Sequence, residues 1–322
     1  MSDIVQNKSK KLNLYLWTEF YRPESVKNIL LPQAYKNFFK GVVESKNLPN
    51  LLLYSSTPGV GKTTLAKALC KDLNMDYIYI NTSAENGIDT LRSIISKFAT
   101  VKSLAGGLKA IILDEFDGAT PALQQGLRAA IEEHHKTCRF IFTANYITKI
   151  INPLRSRCQE FDFNMMETEI VEEMKPKIFE RLKGVLQLEE ISFSEETIKQ
   201  MVDTFYPDIR KMLGLLQQYS RMSNGKIDDN IFNVDVIDQE FFDLIFAHKL
   251  TAARNFLIQR SFNYDEVFRS FFDNLVPRLE KRFQAKAIVL INDYQYKNAF
   301  VVDKEINCTA MMVELMEFIP KK

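Results

Sequence analysis

Cysteine is scarce in this chain. Cys70, Cys138, Cys158 and Cys308 are widely spaced and never form a CxxC pair. That pattern argues against a zinc site and a disulfide framework, and leaves reduced thiols in or near the core. Neither sign of charge is in excess, since 42 Lys and Arg nearly balance 41 Asp and Glu. A net charge of +1 gives no whole-molecule reason to bind nucleic acid, so any such affinity has to come from a local patch. No run of about 18 apolar residues occurs, and residues 1–11 are polar, so the expectation is a cytoplasmic protein without a membrane span. His134 and His135 lack ligand partners at metal spacing and are expected at the surface. Internal repeats and low-complexity tracts are also missing.

What is present is 322 residues with 46% hydrophobic content, enough for two or three domains with a substantial core. The most informative stretch is Ser55-Ser56-Thr57-Pro58-Gly59-Val60-Gly61-Lys62-Thr63-Thr64. It follows the apolar run Leu51-Leu52-Leu53-Tyr54 and leads into the helical pattern Leu65-Ala66-Lys67-Ala68-Leu69. Between a buried strand and a helix N-terminus, glycines let the backbone approach an anion, and successive N–H groups with the helix dipole stabilise its charge. This reads as a P-loop, a phosphate cradle for a nucleotide, in which Lys62 is expected to reach the β- and γ-phosphates and the Thr63 hydroxyl to bind Mg²⁺. Ser56 stands where the pattern usually opens with glycine, a departure expected to tune the turn.

Hydrolysis needs carboxylates, and a second strand supplies them. Ala110-Ile111-Ile112-Leu113 runs into Asp114-Glu115, with Asp117 two residues on. Asp114, at a strand's carboxyl end, is placed to hold Mg²⁺, and Glu115 to polarise the attacking water.

Short apolar strands are predicted at residues 51–54, 77–80, 110–113, 139–143 and 160–163, alternating with helical patterns such as 123–133. Such alternation gives an α/β three-layer domain with a parallel sheet. Residues 167–221 read as several short amphipathic helices with Pro176 and Pro207 near their boundaries. The polar link at 223–230 precedes a third segment rich in Phe and Tyr, where Phe241, Phe242, Ile245 and Phe246 serve either core or subunit packing, the core being favoured. The expected domains are 1–164, an ATPase domain, 165–225, a helical lid, and 226–322, a helical collar.

Further motifs fall at one family's spacing. Trp17-Thr18-Glu19-Phe20-Tyr21-Arg22-Pro23 precedes the P-loop, Thr143-Ala144-Asn145 ends the fourth strand, Ser156-Arg157-Cys158 follows, and Pro207-Asp208-Ile209-Arg210 lies in the helical segment. Together they resemble the AAA+ ATPase subunits of sliding-clamp loaders, the replication factor C small-subunit group. Within it the chain is most similar to the large subunit of T-even-type bacteriophage clamp loaders, through Tyr21-Arg22-Pro23, Gly87-Ile88-Asp89 and the residues from Gln124 to Arg128. The resemblance is strong through about residue 220 and architectural beyond.

It implies ATP and Mg²⁺ as ligands and a loader with other subunits, a pentamer including a distinct smaller one, acting on a sliding clamp and primer-template DNA. A phage-encoded chain would work in the host bacterial cytoplasm. Asn145 becomes the sensor of the γ-phosphate or lytic water, and Arg210 touches the same phosphate from the lid. Arg157 becomes an arginine finger acting in trans on a neighbour's ATP. Tyr21 and Arg22 border the adenine, with simple packing open for Tyr21. DNA contact is assigned to Arg92, Ser93, Ser96 and Lys97, within a stretch at 87–109 where Arg92, Lys97, Lys102 and Lys109 face one acid, Asp89. Gln124 and Arg128 are expected to communicate DNA binding to the catalytic water. One rival is a nucleotide-binding subunit that never hydrolyses, against which Lys62, Glu115 and Arg157 argue. Another is a different AAA+ motor, such as a helicase loader or branch-migration ATPase, against which Ser156-Arg157-Cys158 argues.

Overall fold

The computed structural model describes residues 15–83, 88–101, 107–223, 225–233, 239–259 and 264–321. Residues 1–11, Gly87, Lys102 and Asn224 lie outside them, as do the side chains of Ile88 and Asp89. The chain divides into two compact units, 1–228 and 229–322.

The first unit opens with α1 (Trp17–Phe20) and α2 (Gln33–Ser45), followed by β1 (Leu51–Tyr54), α3 (Lys62–Asp72), β2 (Tyr77–Asn81), α4 (Ile88–Thr100), β3 (Lys109–Asp114), α5 (Pro121–Glu133), β4 (Cys138–Ala144), α6 (Asn152–Arg155) and β5 (Gln159–Asp162). The five strands form one parallel sheet in the order β2-β3-β4-β1-β5. Every residue of β3 is buried, as a central parallel strand covered on both faces must be. Alternate residues feed two cores. Ala110 and Ile112 join Leu51, Leu53, Leu65 and Leu69 on one face, and Ile111 and Leu113 join Leu91, Leu123 and Phe142 on the other. Burial of each Leu, Ile or Phe side chain among them contributes roughly 1.5–3 kcal/mol. The order places β1 and β3 on either side of β4, so the loops after β1, β3 and β4 meet at one end of the sheet. That carboxyl end is where ligands sit in open α/β sheets.

Helices complete the unit: α7 (Thr168–Leu188), α8 (Glu195–Phe205) and α9 (Ile209–Met222), with a two-residue parallel pair, β6 (Ser192–Phe193) and β7 (Lys226–Ile227). Pro207 does mark a boundary, between α8 and α9. Pro176 does not, because it lies inside the 21-residue α7. A proline inside a helix forfeits one hydrogen bond and costs about 3 kcal/mol. Here Met174 on one side and Ile178, Leu182, Val185 and Leu186 on the other are buried, and that packing carries the helix through. The β6/β7 pair escaped the sequence because two residues show no alternation.

The second unit holds α10 (Gln239–Phe246), α11 (Leu250–Gln259), α12 (Tyr264–Ser270), α13 (Lys281–Asn298) and α14 (Lys304–Phe318). Phe241, Phe242, Ile245 and Phe246 are buried in its core with Phe268, Phe271 and Met311, as the favoured reading held. The four cysteines are free thiols, three buried and Cys158 partly so. No helix among the described residues is long and apolar enough to cross a membrane.

Candidate functional site

One cleft, enclosing about 1190 Å³ with its solvent-open mouth included, sits at the carboxyl end of the sheet. The P-loop forms its floor. Gly59 and Gly61 adopt φ of 72° and 97°, a region that disfavours any side chain. A Cβ at Gly59 would also lie 1.9 Å from Asp208 Oδ1, so glycine is what lets the loop pass against the start of α9. Asp208 is the N-cap of that helix, accepting from the Lys211 N–H at 2.9 Å.

Lys62 is 9% exposed, and burial pushes its ammonium down to about 8 against the pull of Asp117 and Asp114. Its Nζ donates to Ser55 O at 3.1 Å, Thr57 O at 3.4 Å and Asn145 Oδ1 at 3.1 Å. All three ammonium donors are therefore in use on neutral acceptors. Asn145 is held in turn, its N–H donating to Asp117 Oδ1 at 2.9 Å.

Thr63 Oγ1 donates to Asp114 Oδ1 at 2.7 Å. Thr143 donates to the same oxygen, and the Tyr79 hydroxyl donates to Asp114 Oδ2 at 2.6 Å. Glu115 follows with φ of 53°, its N–H on Thr143 Oγ1 at 3.2 Å, and it lines the cleft. A carboxylate, a hydroxyl and an adjoining phosphate cradle form the all-oxygen donor set that suits Mg²⁺, which takes few protein ligands and completes its shell with phosphate and water. Among the described residues no cluster of three or more His, Cys, Asp or Glu competes for a metal.

The cleft brings together Tyr21, Arg22, Pro58, Gly59, Val60, Gly61, Lys62, Thr63, Thr64, Asp114, Glu115, Asn145 and Arg210. Ser56 and Thr57 do not line it. Ser56 instead turns to Asn164 Oδ1, donating from its N–H at 2.9 Å and its hydroxyl at 2.8 Å, so the missing glycine is replaced by a side-chain tie. Tyr21 sends its hydroxyl to Glu189, and Arg22 pairs with Glu19 at 2.6 Å. Arg181 is a lining residue the sequence did not disclose. It comes from the middle of α7 and donates to Asn28 O at 2.5 Å, and burial lowers its pKa. No spacing motif links it to the P-loop, and Tyr79 was missed for the same reason.

Other expected residues lie elsewhere. Arg157 is outside the cleft, its guanidinium on Glu132 Oε1 and on Pro153 O. Arg128 approaches Glu132 at 4.0 Å. Gln124 is buried, its amide donating to Ala119 O at 3.1 Å and Lys149 O at 2.9 Å while its oxygen accepts from the Ile151 N–H at 2.9 Å. Arg92, Ser93, Ser96 and Lys97 are all exposed on α4. Arg92 reaches across to α5, where a Cβ on Gly126 would stand 3.3 Å from its Nε.

Lys109 corrects the sequence reading. It is buried, donating to Phe98 O and Val101 O at the C-terminal end of α4 with its ammonium 4.7 Å from the Phe98 ring centre. It caps a helix and leaves the basic face. His134, expected at the surface, is also buried, at the C-cap of α5.

Comparison with known proteins agrees with this geometry. The family profile "AAA: ATPase family associated with various cellular activities" matches residues 52–165. The sliding-clamp-loader large subunit of Escherichia phage RB69 is 37% identical over 221 residues, 68% of each chain. The replication factor C small subunit of Staphylothermus marinus is 30% identical over 327 residues, 95% of this chain and 96% of that one. Among solved structures, the Thermotoga maritima RuvB Holliday junction branch migration motor covers 75% of this chain and 86% of its own, with a TM-score of 0.53 and 16% identity, which speaks to the fold alone. With a P-loop, paired strand-end acids and relatives of this closeness, the chain belongs to the sliding-clamp-loader ATPases, an AAA group that includes phage large subunits and archaeal replication factor C small subunits.

Proposed function

We propose that this chain is the hydrolysing subunit of a clamp loader, in which ATP binding drives opening of a sliding clamp and its placement on primer-template DNA, and hydrolysis releases it. The observation that carries this reading is the convergence of Lys62, Thr63, Asp114, Glu115, Asn145 and Arg210 on one cleft. A subunit that only bound nucleotide would have no use for Glu115 there.

Lys62 exchanges its carbonyl and Asn145 partners for phosphate oxygens. Thr63 and Asp114 would hold Mg²⁺, which would supply charge neutralisation for the phosphates. Glu115 orients and deprotonates the attacking water, and Asn145 and Arg210 contact the terminal phosphate. Tyr21 and Arg22 border the base. Arg157, outside its own cleft, serves the ATP of a neighbouring subunit. Arg92, Ser93, Ser96 and Lys97 face the phosphate backbone of the DNA. Gln124 and Arg128, on the helix after Glu115, relay that contact to the site. Within the first unit, 1–164 acts as the ATPase domain and 165–225 as the lid. The region 226–322 acts as the oligomerisation collar, which exposed apolar side chains such as Val289, Tyr296, Phe300 and Ile306 support.

Nucleotide binding and single-turnover hydrolysis of two variants test the site. Lys62→Ala is expected to lose tight ATP binding, because it removes the charge that meets the phosphates. Glu115→Gln is expected to keep ATP affinity while hydrolysis falls by about 100-fold or more, the usual contribution of a positioned base. Normal hydrolysis by Glu115→Gln would remove Glu115 from this role.

A further inference from the structure

Asp114 is 8% exposed, and its two carboxylate oxygens offer about four acceptor positions. Three are filled by hydroxyls: Thr63 and Thr143 on Oδ1, and Tyr79 on Oδ2 at 2.6 Å. Thr63 and Thr143 belong to the P-loop helix and to the strand beside β3. Tyr79 comes from the opposite side, on β2 at the edge of the sheet.

The register explains its reach. Tyr79 pairs with Ile112, and Asp114 lies two residues beyond Ile112, so alternation puts Tyr79 and Asp114 on the same face. The ring lies diagonally along that face and delivers its hydroxyl to the strand end, while Lys67 of α3 stands 4.2 Å from the ring centre. The ring is 41% exposed on an edge strand, so it adds little to the core. Its specific contribution is one O–H on the outer oxygen of Asp114.

Thr63 commits its proton to Asp114, which leaves the Thr63 lone pairs for a cation. With Oδ1 doubly occupied and Oδ2 singly, the carboxylate plane is fixed from both sides before any ligand arrives. We propose that Tyr79 is a positioning residue of the metal site, holding the Asp114 carboxylate in its metal-receiving orientation through Oδ2. This rests on the reading of Thr63 and Asp114 as the metal-holding pair. Partners behind a metal ligand commonly contribute 10- to 100-fold in metal affinity, and Tyr79 occupies that place behind Asp114.

The test uses the full chain, a fluorescent non-hydrolysable ATP analogue and a Mg²⁺ titration. Tyr79→Phe, which deletes one oxygen and keeps the ring, should raise the half-saturating Mg²⁺ by about 10-fold or more, with Mg²⁺-free analogue affinity changed by less than about twofold. A merely structural tyrosine would move both quantities together or neither. Asp114→Asn is titrated alongside. If Asp114→Asn shifts the Mg²⁺ dependence and Tyr79→Phe does not, the role of Tyr79 is overturned while the metal pair stands. If neither shifts it, the metal pair is wrong and the proposal falls with it.

Discussion

Arg157 uses three of the five N–H donors of its guanidinium inside its own subunit. Nε and Nη2 donate to Glu132 Oε1, and Nη1 to Pro153 O at 2.6 Å. These hydrogen bonds, and after them the guanidinium charge, hold the Glu132 carboxyl below the usual carboxylate range. The two remaining donors, one on each terminal nitrogen, form a fork suited to a phosphate. A lysine would carry the charge and lose both the brace and the fork. In an assembled loader, Arg157→Lys should therefore behave like Arg157→Ala, with steady-state ATPase per interface reduced by about 1000-fold. ATP affinity of the variant subunit itself should be unchanged. Near-normal turnover by Arg157→Lys would show that charge alone suffices and that the fork is irrelevant.

At the scale of elements, α5 links the parts. Its N-terminus is set by Thr120, which caps Leu123 N–H at 3.3 Å, with Pro121 in the first turn. Gln124 then ties the turn before the helix to the loop at 147–151, and Glu132 at the far end braces Arg157. Gln124→Leu keeps the bulk but strands two carbonyls and one N–H, at about 1–3 kcal/mol for a buried unsatisfied group, and should lower the Tm by roughly 2–10 °C in a thermal melt. An unchanged Tm would mean that the amide does not hold the loop. On α4, Arg92→Ala should weaken primer-template binding with little sequence dependence. The slope of log affinity against log salt should become shallower by about 0.9, or about 0.7 on a single strand. An unchanged slope would make Arg92 an ordinary solvated charge packed on Gly126.

These elements also show what was legible in the sequence. Central parallel strands are continuous apolar runs, so β1 matched residue for residue and β3 and β4 grew by one residue at each end. The P-loop and Asp114-Glu115 were legible because each motif is local. Lys109 and His134 were misread because composition does not separate a solvated polar group from one satisfied in the interior. Tyr79, Arg181 and the ties of Gln124 to the loop at 147–151 depend on partners 25 or more residues away, which no local pattern encodes. Pro176 misled because a local cost of about 3 kcal/mol was overridden by the buried face of α7.

At the scale of the whole molecule, the chain carries a nucleotide cleft in one compact unit and a separate helical unit at 229–322. In the proposed function the cleft carries the side chains for phosphate, metal and water, while Arg157 lies outside it, so the proposed cycle is completed only between subunits. Control of hydrolysis would then rest on how partners align neighbouring subunits. ATP turnover by the assembled loader, measured alone, with clamp, with primer-template DNA, and with both, tests that claim most directly. Hydrolysis should be slow alone, raised partially by either partner and raised most by the two together. A rate that is the same under all four conditions would contradict a clamp-loading ATPase.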